Sequence, residues 1–262
     1  MGALFLLSPS LGSAKSEARA ELIGRALSRE LGESVRAEVA TTYAALESAV
    51  RDARVDLAWT PAAVCARLAD ARGLYTVVRG GRSSYRSALV ARREDKLSLA
   101  TLTGKRAAWV DPLSAGGYLL VAALLRARGI DPDRTFASQS FLGSHRAALL
   151  AVAHGEADVA AVSAHGLDDA TLAADLRWYI GAPGDQLDAI ALSDRCPNDA
   201  IVITSRAPAA LAARFRDAFV ATPSPGAAAL FSVLEADGLE PGSLAAYRAA
   251  FAGSRTTIAP RG

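Results

Sequence analysis

Several residue types that support specialised chemistry are scarce in this chain of 262 residues. It has two cysteines, Cys65 and Cys196, and three histidines. The cysteines fit neither a CxxC motif nor a zinc-ligand spacing, so we expect two small buried side chains and no metal site, with a disulfide as the alternative. No GxSxG, HExxH, Walker A or GxGxxG motif occurs either. The sequence therefore predicts no cofactor and gives little support for an enzyme.

The chain also lacks a strong net charge and a long apolar run. Its formal net charge is +2, and no basic stretch carries interleaved aromatic residues, so we expect no nucleic-acid partner. The longest apolar run, YLLVAALL, is far shorter than the about 20 residues of a membrane-spanning helix, so no transmembrane segment is expected. Hydrophobic residues make up 51% of the chain, which is enough for a buried core.

The N-terminal segment MGALFLLSPS does not have the features of a secretory signal. It has no basic n-region, and Ser8 and Pro9 interrupt its apolar run. We interpret ALFLL as a first strand. The chain as given is therefore expected to be either cytoplasmic or a mature form whose export signal was removed.

Strand-like and helix-like segments alternate along most of the chain. In the first half the strands are ALFLL, SVRAEVA and VDLAWT, and in the second half they are KRAAWV, FASQSF and ADVAAVS. An apolar helical segment separates each strand from the next. This alternation predicts an α/β fold with parallel strands covered by helices. The segments SALVARR and LDAIALSDRCPNDAIVITSR are also strand-like, and three further helices are predicted near the C-terminus.

The two halves also resemble each other locally. TYAALESAVRDARVDLA in the first half aligns without gaps on SHRAALLAVAHGEADVA, at an offset of 102 residues. The alignment places Tyr43 opposite His145 and Asp56 opposite Asp158. We therefore expect two similar α/β lobes, one built from residues 1–90 and 195–262 and the other from residues 91–194. Two crossings of the chain would join them.

The segment DPLSAGGYLL begins a long apolar helix with two glycines, although each helical glycine costs about 1 kcal/mol relative to alanine. Ser114 suits the N-cap, and the amides of Ala115, Gly116 and Gly117 would be donors at the positive helix end. One interpretation is an oxyanion site at which the glycines clear space for the ligand. A bulky residue at position 116 would then block the site and leave the fold intact. The alternative is a tight turn packed against a neighbouring segment.

Other polar residues lie at strand ends or helix starts, where ligands of open α/β sheets bind. His145 begins a helix, and Tyr43 is its counterpart in the first half, so we expect both to point at one ligand from opposite lobes. Surface or packing roles are the alternatives for these two residues. His165 is a weaker candidate. The remaining candidates are Ser8, Thr60, Tyr85 and Ser163.

Several of these stretches resemble the periplasmic phosphate/phosphite/phosphonate-binding proteins of ABC transporters. The resemblance runs from about residue 5 to about residue 250, and its most specific parts are DPLSAGGY and GSHRAALLAVAHGEADVA. It implies a type II periplasmic-binding-protein fold, with two lobes, two hinge crossings and a central cleft that closes on a small oxyanion. It also implies a monomer, an ABC transporter permease as partner and a periplasmic location.

The chain departs from this family at the helix start. The family motif looks like Ser-Thr-Ser-Gly-Tyr, whereas residues 114–118 read SAGGY, so two hydroxyls are missing. His145 matches the family histidine, and Tyr43 and Tyr85 match its two cleft tyrosines. Each lost hydrogen bond to a charged ligand is worth roughly 1.5–3 kcal/mol. Either the ligand differs, or its affinity is lower, or other residues compensate.

Three functions are compatible with these patterns. The first is non-catalytic binding of a phosphonate-, phosphite- or phosphate-like oxyanion. The second is an enzyme on the same fold that acts on a small carboxylate, which rests on fold-level analogy alone. The third is an intracellular ligand-sensing module. A poised acid or base at the site would favour the enzyme, whereas neutral donors and tyrosines favour binding.

Overall fold

The computed structural model describes residues 2–8, 13–164, 169–221, 224 and 226–251, so His165 lies outside the described residues. The strands, in chain order, are β1 (Ala3–Leu7), β2 (Val35–Val39), β3 (Leu57–Thr60), β4 (Gly73–Val78), β5 (Ser84–Arg92), β6 (Arg106–Trp109), β7 (Ser138–Phe141), β8 (Val159–Ala164), β9 (Leu187–Leu192), β10 (Cys196–Pro197), β11 (Ala200–Ile203) and β12 (Gly238–Pro241). The α-helices are α1 (Ser13–Leu31), α2 (Tyr43–Arg51), α3 (Ala62–Cys65), α4 (Leu120–Ala127), α5 (Pro132–Thr135), α6 (His145–Ala153), α7 (Asp169–Ile180), α8 (Ala209–Arg216), α9 (Ala227–Leu234) and α10 (Leu244–Ala250).

The elements group into two compact units. Unit 1 comprises Met1–Ser84 and Pro197–Arg248, and unit 2 comprises Tyr85–Cys196 together with the segment that begins at Ala249. Each unit has its own sheet and its own helices. The predicted α/β class is confirmed. The predicted lobe boundaries, after residues 90 and 194, stay a prediction.

Unit 1 is built on a six-stranded sheet in the order β12-β4-β11-β3-β1-β2. The strands β2, β1 and β3 are parallel, and β11, β4 and β12 add antiparallel pairs. Its core joins β1, β3 and β11 to α1, α8 and α9, with Phe5, Ile23 and Phe215 fully buried. Because burial of each such side chain contributes about 1.5–3 kcal/mol, this core holds the sheet in place.

A partly buried ion pair links three segments of unit 1. The carboxylate of Asp199, just before β11, accepts hydrogen bonds from Nη1 of Arg79 at 2.5 Å and from Nη2 at 3.0 Å. It also accepts one from the indole N–H of Trp59 in β3. Arg79 Nη2 donates further to the Leu234 carbonyl, at 2.8 Å. The pair therefore ties the ends of β4 and α9 to β3.

Unit 2 is built on a sheet in the order β10-β5-β8-β6-β7, with β9 paired to β5. The strands β8, β6 and β7 are parallel, whereas β5 is antiparallel to β8 and to β9. One face packs beneath α6 and α7, around Leu149 and Leu176. The other face packs beneath α4, around Trp109 and Val121. The alternating side chains of β5 and β8 therefore enter two different cores.

The local repeat is visible first at two helix starts. Thr42 and Ser144 occupy the N-cap positions of α2 and α6. Their hydroxyl oxygens accept hydrogen bonds from the N–H groups of Ala45, at 3.0 Å, and Ala147, at 3.1 Å. The two aligned polar residues thus perform the same capping role in both units.

The repeat extends to two aligned carboxylates. Asp56 accepts a hydrogen bond from the Leu4 N–H in β1 at 2.8 Å, and Asp158 accepts one from the Arg106 N–H in β6 at 2.7 Å. Each aspartate also donates its own N–H to the carbonyl of the same strand residue. The gapless alignment therefore corresponds to the same backbone contacts in each unit.

We expect Asp158→Ala to lower the free energy of unfolding by about 1–2 kcal/mol at pH 7, because Arg106 loses a carboxylate that accepts from both its N–H and its guanidinium. The hydrogen bonds from Arg106 hold the pKa of Asp158 below its usual range. A depressed pKa stabilises the fold above the unfolded-state value, near 4, and this stabilisation is lost as the pH falls through the folded-state pKa. Urea unfolding at pH 7, 5 and 3 should therefore show the difference between parent and variant shrinking as the pH falls.

Asp188→Ala is the control for this experiment, because Asp188 forms an ion pair with Arg93 and its side chain is 51% exposed. Such a pair contributes about 0–1 kcal/mol. A difference between parent and Asp158→Ala that stays constant from pH 7 to pH 3 would show that the ionised carboxylate is not what stabilises the strand.

Two strands were absent from the sequence prediction, β4 and β12. The β12 sequence GLEP contains a glycine and a proline, which are depleted in strands, and it lies at the sheet edge where proline is tolerated. Both cysteines are buried, as expected, and burial raises the pKa of the Cys196 thiol to about 12. No helix in the described ranges is long and apolar enough to cross a membrane.

Candidate functional site

Three of the predicted site residues meet at the end of β8. A Cβ atom added to Gly116 would lie 2.0 Å from Oγ of Ser163 and 3.2 Å from the ring of Tyr85. Ser87, which the sequence analysis did not single out, donates a hydrogen bond from its hydroxyl to the Gly116 carbonyl at 2.6 Å. The backbone of Gly116 is therefore held against β5 and β8 by side chains from both strands.

The helix that begins here starts with a π-helical turn, Ala115–Leu119, which continues into α4. Ser114 is its N-cap, and its hydroxyl oxygen accepts a hydrogen bond from the Gly117 N–H at 3.1 Å. The amides of Ala115 and Gly116 have no acceptor among the described residues, and both residues are buried. Two of the three predicted amide donors thus remain available, whereas the third is used within the turn.

The structure gives a packing reason for both glycines. Gly116 contacts Ser163 and Tyr85, and a Cβ atom on Gly117 would lie 2.3–2.4 Å from the side chain of Val110. These contacts support the alternative of a tight turn packed against neighbouring segments. A Cβ atom at position 116 would overlap Ser163 Oγ, so a bulky residue there should destabilise the protein, and the expectation that it leaves the fold intact stays a prediction. A role of the glycines in clearing space for an anion stays a prediction.

His145 and a tyrosine from α7 extend this group of residues. His145 is the first residue of α6, and its ring centroid lies 5.2 Å from that of Tyr179. The Tyr179 hydroxyl is hydrogen-bonded to Ser163, and burial raises the pKa of Tyr179 to about 12. Tyr179 is therefore protonated at neutral pH, and its hydroxyl can act as a donor.

Sequence reasoning missed both Ser87 and Tyr179, for different reasons. Ser87 follows Tyr85 by two positions in β5, so the period of a strand places both on one face and was a usable signal. Tyr179 lies in the helical stretch RWYI, which carries no pattern that distinguishes a site residue from a packing residue.

The other predicted residues belong to unit 1. Ser8 follows β1 and Thr60 ends β3, and both are buried. The parallel register Leu6↔Ala58, continued by two residues, places them side by side. Tyr43 is the first residue of α2 and is half-buried. The prediction that Tyr43 and His145 point at one ligand stays a prediction.

The polar groups gathered in unit 2 suit the binding of an oxyanion. Amides of the backbone and hydroxyls of serine and tyrosine donate hydrogen bonds without a change of protonation near neutral pH. Within the part of the chain that the structure describes, no group of three or more histidine, cysteine or acidic side chains is placed to hold a metal ion.

Comparisons with known proteins agree with this chemistry. Residues 5–247 match the model of a family described as "ABC transporter, phosphonate, periplasmic substrate-binding protein". Among solved structures, a binding component of an ABC phosphonate transporter from Pseudomonas aeruginosa is 22% identical, with a TM-score of 0.69 over 92% of this chain and 82% of that one.

Two further solved structures are similar over almost their whole length. PhnD1 from Prochlorococcus marinus, in complex with methylphosphonate, is 16% identical with a TM-score of 0.73, over 96% of this chain and 97% of that one. A protein from Xanthomonas citri bound to ATP is 21% identical with a TM-score of 0.77, over 97% of each chain. At these identities the structural matches establish the shared fold.

Proposed function

Because the chain belongs to the phosphonate family of periplasmic substrate-binding proteins of ABC transporters, we propose that it binds a small phosphonate-, phosphite- or phosphate-like oxyanion without converting it. The site comprises the helix start at Ala115 and Gly116 and the side chains around it in unit 2. A permease of an ABC transporter is the partner that receives the ligand.

The buried amides of Ala115 and Gly116 are the observation that carries this proposal. A buried N–H group without an acceptor costs about 1–3 kcal/mol. These two groups have none among the described residues, and they lie at the positive end of a helix that continues through α4. An oxyanion supplies the acceptor atoms and the negative charge that this position favours.

Hydroxyl groups around the amides take the place of the hydroxyls that SAGGY lacks. Ser163 Oγ lies against the Gly116 backbone, and Tyr179 is hydrogen-bonded to that same hydroxyl. Ser114 accepts from Gly117 and keeps its own O–H as a donor. The hydroxyls of Ser114, Ser163 and Tyr179 thus belong to the group of residues around Gly116, and all three are neutral, which favours binding over acid–base catalysis.

Titration calorimetry of the anion-free protein with methylphosphonate, phosphite, phosphate and sulfate tests this function. We expect at least one of the three phosphorus oxyanions to bind. Ser163→Ala should weaken that binding by about 10- to 150-fold, which corresponds to one hydrogen bond to a charged ligand, worth roughly 1.5–3 kcal/mol.

Ser138→Ala is the matched control, because Ser138 is an exposed serine in β7 of the same sheet. It should bind as the parent does. No binding of any phosphorus oxyanion by the parent protein would contradict the proposed function. Equal affinities of the parent and Ser163→Ala would remove Ser163 from the site.

A further inference from the structure

Arg86 is a half-buried cation that has no partner within the described part of the chain. Its Nε atom is fully buried and makes no hydrogen bond. No ion pair or hydrogen bond among the described residues involves its guanidinium group, although arginine offers five N–H donors. An isolated buried charge is costly unless something of opposite charge accompanies it.

The register of the sheet places Arg86 at the same strand end as the proposed site. In the antiparallel pair of β5 and β8, Arg86 lies opposite Ala164 and Ser87 lies opposite Ser163. Its sequence neighbours Tyr85 and Ser87 both contact Gly116. Arg86 lies between these two residues in β5, so it is level with them along the strand while its side chain points to the opposite face of the sheet.

Arg86 lies on the face of the sheet that is covered by the helices carrying His145 and Tyr179. Alternation along β5 gives Arg86 the face of Ala88, which packs in the core beneath α6 and α7. These two helices carry His145 and Tyr179, and Tyr179 is hydrogen-bonded to Ser163, next to Ala164 in β8. Arg86 is paired with Ala164 and the Tyr179 hydroxyl interacts with Ser163, so both groups lie next to the last two residues of β8.

Among the described residues, the carboxylate of Asp194 lies near Arg86 but does not pair with it. Asp194 follows Ser193, whose hydroxyl accepts from the Ser87 N–H at 2.9 Å, so it lies near Arg86 in the sheet. Its side chain is exposed and forms no ion pair with Arg86 within the described ranges. By contrast, Arg92 and Arg93, on the same strand or just after it, both have aspartate partners.

We propose that Arg86 is a ligand-binding residue that supplies the positive charge of the oxyanion site. This inference rests on the proposed function and deepens it, since the amides and hydroxyls described above are all neutral. The ligand class is then a small oxyanion that carries its negative charge into the site, and not a neutral polar solute. The anion in turn provides the counter-charge that the fold does not give to Arg86.

Calorimetry of parent, Arg86→Gln and Arg86→Lys with methylphosphonate, phosphite and phosphate tests this assignment. Arg86→Gln should weaken binding of every anion that the parent binds by about 10- to 100-fold, the usual effect of losing a charge-assisted hydrogen bond. Arg86→Lys should keep part of the affinity because lysine keeps the positive charge. It should lose the rest because lysine lacks the planar guanidinium, which can donate two parallel hydrogen bonds. Arg93→Gln, which removes an exposed ion pair with Asp188, should bind as the parent does.

Thermal unfolding of Arg86→Met separates a binding role from a structural one. Without anion, we expect this variant to melt at the same temperature as the parent or higher, because an apolar side chain replaces a half-buried charge that has no partner among the described residues. The anion should raise the melting temperature of the parent and should raise that of Arg86→Met far less.

The assignment of Arg86 would be overturned if Arg86→Gln bound the anions as tightly as the parent does. A lower melting temperature of anion-free Arg86→Met would also overturn it. A parent that binds none of the three anions would overturn the proposed function itself, and that result is visible before any variant is compared.

Discussion

Gly116→Ala should lower the free energy of unfolding by about 2–3 kcal/mol or more, the cost of inserting atoms into a well-packed region. The added Cβ atom would lie 2.0 Å from Ser163 Oγ, a distance at which something must move. Turning the Ser163 side chain out of the way would also move its hydroxyl away from Tyr179, with which it interacts. Urea unfolding monitored by circular dichroism measures the loss.

Combining Gly116→Ala with Ser163→Ala tests whether the overlap with Ser163 Oγ causes this destabilisation. Ser163→Ala removes Oγ and leaves contacts of 3.2 Å from the new Cβ atom to the Ser163 Cβ and to the Tyr85 ring, which small shifts can absorb. The double variant should therefore regain most of the lost stability, yet bind oxyanions weakly because the Ser163 hydroxyl is gone. Additive losses in the double variant would contradict this account.

Gly238→Ala is the control for the glycine experiment. Gly238 begins β12, and a Cβ atom there would meet nothing within 4 Å. Its stability should stay at the parent value or rise by about 0.4–1 kcal/mol, because alanine restricts the unfolded chain more than glycine does.

Asp199→Ala should lower the free energy of unfolding by about 3 kcal/mol, towards the 3–5 kcal/mol typical of breaking a buried ion pair. The substitution removes the acceptor of two hydrogen bonds from Arg79 and one from the Trp59 indole. Side-chain exposures of 25% and 23% for Arg79 and Asp199 place the expected loss at the lower end of that range. Asp199→Asn should lose less, since its amide oxygen still accepts.

Guanidinium chloride screens ion pairs, so urea unfolding is the appropriate measurement for Asp199→Ala. Glu21→Ala, which breaks an exposed i,i+4 pair with Arg25 on α1, serves as the control and should change stability by less than about 0.5 kcal/mol. If Asp199→Ala behaves like Glu21→Ala, the ion pair does not tie the strands of unit 1 together.

The sequence predicted those parts of the fold that depend on local periodicity. The aligned segments that begin at Thr42 and Ser144 form the same capped helices, and Asp56 and Asp158 close the same strand pairs. Apolar periodicity and N-cap preferences depend on residues only a few positions apart, so both can be recognised in the sequence alone.

What the sequence did not predict depends on residues distant along the chain. Position 116 has no room for a side chain because Ser163, 47 positions later, packs against it. Position 117 has none because the branched side chain of Val110 packs against it across a turn. Tyr179 lies at the site because it interacts with Ser163, and the residue pattern of its helix does not predict this contact. Arg86 looks like any strand arginine in the sequence, and only the structure shows that its buried Nε has no hydrogen-bond partner in the described ranges.

The two buried cysteines decide how this protein can be labelled. A thiol reacts as its thiolate, and a pKa of about 12 keeps Cys196 almost wholly protonated at the pH of maleimide chemistry. Cys65 is fully buried beside the Thr60 carbonyl. Since the chain has only these two cysteines, a single cysteine introduced on an exposed helix would be the one reactive thiol of the folded protein. A fluorophore or spin label can therefore be attached at a chosen position without first replacing the native cysteines.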